Sequence, residues 1–146
     1  MTLRLIIVIL ICLIGKDGLF SQTPPYKHYT SDDGLSSSTV YDIIQDKTGY
    51  IWIATKNGLS RFDGNKFNNF GIKDGLNSTT IVSVLEGDNG EIYIGNYTKG
   101  INLYKDGRIT SYSSENSKFH NIGDIFYNKN KLYAHSFDGF YITYNG

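Results

Sequence analysis

Residues 33–73 read DGLSSSTVYDIIQDKTGYIWIATKNGLSRFDGNKFNNFGIK, and from Asp74 the pattern returns as DGLNSTTIVSVLEGDNGEIYIGNYTKGINLYKDGRITSYS. Gly34 and Leu35 match Gly75 and Leu76, Thr39 and Val40 match Thr80 and Ile81, and Ile51-Trp52-Ile53 match Ile92-Tyr93-Ile94, all 41 residues apart. One inserted residue brings Gly58 onto Gly100, and a second brings Asp63-Gly64 onto Asp106-Gly107. In a weaker third copy, Leu132-Tyr133-Ala134 takes the Ile-Trp-Ile place and Gly139 the Gly58 place. Short apolar runs and glycine turns repeating every forty-odd residues mark an all-β chain of β-propeller blades, each of four antiparallel strands.

The first full repeat (33–70) divides into strands at Thr39 to Gln45, Tyr50 to Thr55, Leu59 to Phe62 and Lys66 to Phe70, here called A to D. Strand B is apolar at nearly every position, as expected where both faces of a strand are covered. Trp52, with its counterparts Tyr93 and Tyr133, is expected to fill the space between blades rather than to form a ligand platform. The turns Asp46 to Gly49 and Gly87 to Gly90 place a glycine where a positive φ is needed, and Asp63-Gly64 and Asp106-Gly107 read as two-residue type I′ hairpins. Neither acidic turn has the alternating carboxylates of a calcium loop. The second repeat spans 74–113. The third, 120–146, has strand A at Ile122 to Tyr127, B at Lys131 to His135 and C at Phe140 to Tyr144, and lacks a strand D. Tyr26 to Tyr29 alternates as an edge strand would and lies 41 residues before Phe67 to Phe70, so it reads as an orphan strand D.

Ahead of the repeats the composition changes. Arg4 precedes ten apolar residues, Leu5 to Ile14, and Ser21 supplies a small residue for cleavage. That run is too short to span a bilayer and right for a signal peptide over 1–21, with 22–25 as a proline linker. Cys12, the one cysteine, leaves with the leader, so no disulfide framework supports the mature fold. With 14 basic and 14 acidic residues, the chain has no basic stripe for nucleic acid.

From Gly49 to Phe70 the string GYIWIATKNGLSRFDGNKFNNF resembles the two-component regulator propeller repeat, and DGLSSSTVYDIIQDKTG resembles its usual linker and inner strand. Gly90 to Tyr112 is similar with Tyr93 for the usual Trp, and Lys131 to Gly146 is a poorer copy. The resemblance implies the periplasmic sensor end of a Bacteroidetes-type signalling protein, in which such propellers precede an immunoglobulin-like domain, a transmembrane helix and a histidine kinase output. It implies a dimeric receptor and a small-molecule or oligosaccharide ligand. Output machinery is not recognisable in these 146 residues.

Chemistry is sparse. His28, His120 and His135 have no partners at metal-ligand spacing, no nucleophile motif occurs, and no cofactor is expected. The segment is read as non-catalytic. Propellers bind ligands on the face built from their D–A and B–C loops, which selects Asp33, Lys56, Asn57, Tyr97, Lys99, Phe137 and Asp138 as candidate ligand-binding residues. Polar side chains with a few aromatics suit a carbohydrate through hydrogen bonds and ring stacking. Three blades fall short of the usual four to eight, so the remaining blades are expected from the same chain or from another copy. A freestanding binding module that closes its ring by association, and a propeller lyase or glycosidase, are the alternatives.

Overall fold

The computed structural model describes residues 25–112, 121–129 and 131–142. These form three antiparallel sheets. The first runs β1 (Val40–Gln45), β2 (Ile51–Thr55), β3 (Gly58–Phe62) and β4 (Phe67–Phe70) in that order. In the second, β5 (Ile81–Glu86), β6 (Ile92–Asn96), β7 (Ile101–Lys105) and β8 (Arg108–Tyr112) follow the same meander. The third holds β9 (Ile122–Asn128), β10 (Lys131–Ser136) and β11 (Gly139–Ile142). These are β-propeller blades, and their inner strands β1, β5 and β9 lie side by side. The leader 1–21, most of the linker, and the expected strand end at 143–144 lie outside the described residues.

Each inner strand is irregular at the same place. The register shifts between Val40 and Asp42, between Ile81 and Ser83, and opposite the His135/Ser136 step of β10. A bulge bends its strand and re-aims a side chain. Here the re-aimed side chains join the blades. Asp42 Oδ2 accepts the Val84 N–H at 2.8 Å and lies 3.3 Å from Ser83 Oγ. Ser83 Oγ in turn accepts the Ile125 N–H at 3.4 Å and donates to Asp124 Oδ1 at 2.7 Å.

Two apolar seams hold the blades together. Trp52, Ala54 and Leu59 of the first meet Leu76, Ile81, Val84, Ile92, Ile94 and Ile109 of the second. Tyr93 and Ile101 of the second then meet Ile122, Ile125, Leu132 and Ala134 of the third. At about 1.5–3 kcal/mol per fully buried large side chain, these seams dominate the favourable side of folding. Strand B is covered on both faces for this reason, and Trp52 and Tyr93 fill the seams as expected.

Four local features refine what the sequence suggests. Residues 26–29 belong to none of the three sheets, and Tyr26 is 91% exposed. Tyr29 nevertheless packs its ring 5.1 Å from Phe62 and 5.4 Å from Phe67, much as Phe70 packs 5.7 Å from Tyr104 of the next blade. A strand needs a ladder partner, whereas an aromatic anchor needs only a surface. Second, Asp63-Gly64 is not a type I′ turn. Phe62 pairs with Phe67 across a four-residue connection, and only Gly64 has positive φ (94°). Asp63 Oδ1 sets that turn by accepting the Asn65 and Lys66 N–H groups at 2.9 and 2.8 Å. Asp106 and Gly107, with φ of 50° and 79°, do make the two-residue hairpin. Third, the D–A loops contain 3-10 turns at Ser31–Asp33 and Ile72–Asp74. Fourth, β1 is more exposed than the other inner strands: Ile43 is 59% exposed where its counterparts Val84 and Ile125 are buried, because no blade among the described residues covers that face.

Candidate functional site

The B–C turns of all three blades reach the same end of the sheets. The N–H groups of Lys56, Tyr97 and Phe137 donate to the carbonyls of Thr39, Thr80 and Asn121, just before each inner strand, at 3.0, 3.0 and 3.4 Å. Lys56, Tyr97 and Phe137 are therefore equivalent positions on successive blades and form an arc. The turns also touch the next blade, with Gly58 N–H donating to Thr79 O at 2.6 Å and Thr80 Oγ1 to Lys56 O at 3.4 Å.

Two of the seven candidates meet directly. The Tyr97 and Phe137 rings stand edge to face at 6.3 Å, bridging the second and third blades, and they are 42% and 73% exposed. His135, which sequence reasoning set aside, lies 6.4 Å from Phe137. An exposed aromatic pair beside an imidazole can stack on an apolar ring face while leaving polar edges to water. Lys56, Asn57 and Lys99 are exposed on the same turns. Asn57 also lines a cavity of about 260 Å³ with Ser36, Asn69 and Lys73.

The two acidic candidates are occupied by their own loops. Asp33 Oδ2 accepts the Thr30 N–H at 2.8 Å and the Thr30 hydroxyl at 3.1 Å, closing the 3-10 turn, and these bonds hold its carboxyl below the usual range. Asp74 Oδ2 accepts the Gly71 N–H at 2.8 Å in the second such turn. Asp138 Oδ1 accepts from Ser136 Oγ and from Tyr141 Oη. Asp33 thereby shapes a D–A loop, and Asp138 shapes the B–C turn that carries Phe137.

Sequence reasoning missed the polar layer beneath the D–A loops. Ser60 Oγ accepts the Ser36 N–H at 3.0 Å and donates to Asn69 Oδ1 at 2.7 Å. One repeat later, Asn102 Oδ1 accepts from Asn77 N–H and Asn96 Nδ2, each at 2.9 Å, while Asn77 Nδ2 reaches Ser111 Oγ at 3.1 Å. Polar residues recurring at positions 36, 60 and 69 and again at 77, 102 and 111 were the available signal. Among the described residues, no group of three or more His, Cys, Asp or Glu could hold a metal ion, and no helix is long and apolar enough to cross a membrane.

Residues 34–57, the A–B hairpin of the first blade with its leading loop, match the family model described as two component regulator propeller. The chain is 52% identical over 42 residues to Histidine kinase P4 of Formosa agariphila, covering 29% of this chain and 3% of that protein. It resembles the extracellular domain of the hybrid two component system BT3049 from B. thetaiotaomicron at 26% identity and a TM-score of 0.68, over 78% of this chain and 17% of that one. For the extracellular domain of the hybrid two component system BT4673 from the same organism, identity is 25% and the TM-score 0.69, over 85% of this chain and 18% of that one. The chain thus spans less than a fifth of the solved structures it matches. Residues 34–57 thus resemble the two-component regulator propeller repeat, and the fold is similar to that of these extracellular domains.

Proposed function

We propose that this chain is the non-catalytic, ligand-sensing part of a periplasmic propeller in a two-component signalling protein, a dimeric receptor whose output is a histidine kinase. The likeness to extracellular domains of hybrid two component systems and the local identity to a histidine kinase support this reading. The observation that carries the binding role is the exposed Tyr97–Phe137 pair on the Lys56–Tyr97–Phe137 arc. Its aromatic faces, with Asn57, Thr98 and Lys99 exposed on the B–C turns, suit an oligosaccharide.

Further repeats complete the ring. At the equivalent positions Leu59, Ile101 and Phe140, exposure runs 0%, 1% and 56%, since the first two are covered by a following blade. Phe126 and Tyr133 stack beside Phe140 on the same face, with centroids 6.2 and 5.9 Å away. The next repeat of the same protein covers this face.

Two measurements test the proposal. The reading frame beyond the codon for Gly146 is expected to continue through more repeats into a hydrophobic span and a kinase module, and an immediate stop would overturn the signalling assignment. Calorimetry of the complete propeller against neutral and acidic oligosaccharides is expected to find a binder whose affinity drops at least about tenfold in Tyr97→Ala and Phe137→Ala. If both variants bind as tightly as the parent, the arc is not the site.

A further inference from the structure

Arg61 stands at the other end of the first blade, where β3 runs into the C–D turn. Its guanidinium carbon lies 4.5 Å from the Tyr50 ring centroid, 5.5 Å from Trp52, and 5.9 Å from both Phe70 and Tyr104. Nη1 donates to Tyr104 Oη at 2.9 Å. A guanidinium has five N–H donors. That bond to tyrosine is the only hydrogen bond the Arg61 side chain makes among the described residues, where no carboxylate is paired with it. The group is half-buried, so its remaining donors have lost part of their water without gaining a partner.

Closing the seam does not require a cation here. The equivalent position in the second blade is Leu103, packed against the second seam, and in the third it is Ile142. Arginine at this place therefore calls for another explanation, and the surroundings supply one. Arg61 opens onto a pocket of about 270 Å³ lined by Tyr50, Asp63, Lys66 and Asn68. Asp63 Oδ1 is committed to the Asn65 and Lys66 N–H groups, leaving two cations against one carboxylate around the space.

We propose that this pocket is an oxyanion site for a small carboxylate-, sulfate- or phosphate-bearing ligand. The guanidinium fork, held in place by four rings, presents parallel N–H donors to two ligand oxygens. Lys66 adds a point charge and Asn68 an amide. The site lies at the opposite end of the blade from the B–C arc and stands whether or not that arc binds a sugar.

Trp52 is the single tryptophan of the chain and sits against Arg61, so its emission reports on the site. The 146-residue chain is titrated with malonate, inorganic phosphate and sulfate at constant ionic strength, with chloride as the screening control. A saturable change with at least one oxyanion and none with chloride is expected. Malonate and phosphate separate a carboxylate ligand from a phosphate one. Arg61→Leu, a residue the second blade already accommodates there, should keep the thermal midpoint and lose the response. Arg61→Lys, which retains charge without the fork, should weaken binding about tenfold. A response indistinguishable from chloride, or one that survives in Arg61→Leu, would overturn the proposal and leave Arg61 as a cation–π plug of the seam.

Discussion

At the scale of single residues, one exchange shows how the two full repeats solve the same problem differently. Asp46 Oδ2 accepts the Trp52 indole N–H at 2.7 Å, and its Oδ1 accepts from Thr48 N, Thr48 Oγ1 and Tyr50 N. Burial works to raise the Asp46 pKa, but the bonds from Thr48, Trp52 and Tyr50 outweigh it and hold the carboxyl below its usual value. One repeat on, Gly87 stands for Asp46 and Glu91 for Tyr50, and Tyr93 donates to Glu91 Oε1 at 3.3 Å. A Cβ at Gly87 would lie 2.6 Å from that same oxygen, so the acid moved and glycine made room for it. Burial, with the Glu91 charge behind it, pushes the Tyr93 phenol well up. Asp46→Ala leaves the buried indole N–H without its partner and is expected to cost about 2 kcal/mol in urea denaturation at pH 7. Because the folded pKa is lowered, this stability is present in full above the unfolded value of about 3.9 and is lost as pH falls through the folded one. The gap between variant and parent should therefore narrow below about pH 4; a gap constant down to pH 2 would argue against the carboxylate.

Among elements, the D–A connection is the most sharply specified. Asp caps a 3-10 turn, glycine reverses the chain in the left-handed region, and leucine is buried, Leu76 in the first seam and Leu35 against Ile53 and Phe62: Asp33-Gly34-Leu35 and Asp74-Gly75-Leu76. Gly75 has φ of 107°, and a Cβ there would meet the Ile109 carbonyl oxygen at 2.5 Å. Gly64 also has positive φ, 94°, yet nothing lies within 4 Å of its would-be Cβ. Alanine at Gly64 incurs backbone strain alone, of about 1 kcal/mol, whereas at Gly75 backbone must also move. Gly75→Ala is expected to lower the urea midpoint clearly more than Gly64→Ala. Equal shifts would show that β8 yields freely and that the close approach is not a constraint.

For the whole molecule, the cost of an apolar residue depends on which blade it occupies. Phe140 and Leu59 hold equivalent positions, one 56% exposed and the other fully buried. In the 146-residue chain, Phe140→Lys is expected to reduce self-association in sedimentation without lowering the thermal midpoint, because it interrupts an exposed patch. Leu59→Lys, which places an unpaired charge in the first seam, should unfold the protein. In a longer chain with the following repeat present, Phe140→Lys should become as damaging as Leu59→Lys. If it stays harmless there, the Phe126–Tyr133–Phe140 face is not a blade seam.

The sequence by itself determined the fold class and the covered strand B, because a repeat states each contact more than once. Period-two alternation and glycine turns are local signals, and local signals survive in one dimension. Residues 26–29 show the limit: the alternation of a strand was legible, but a strand exists only where a neighbour completes its ladder. The Asp63-Gly64 turn shows it again, since the same dipeptide as Asp106-Gly107 took another geometry once strand register was set. Which loop residues face one another was decided by tertiary structure alone. Tyr97 and Phe137 are 40 residues apart in the chain and meet only because successive blades set equivalent turns side by side. Arg61 likewise looks like an ordinary strand residue until four rings from two blades converge on it, a convergence that no spacing along the chain encodes.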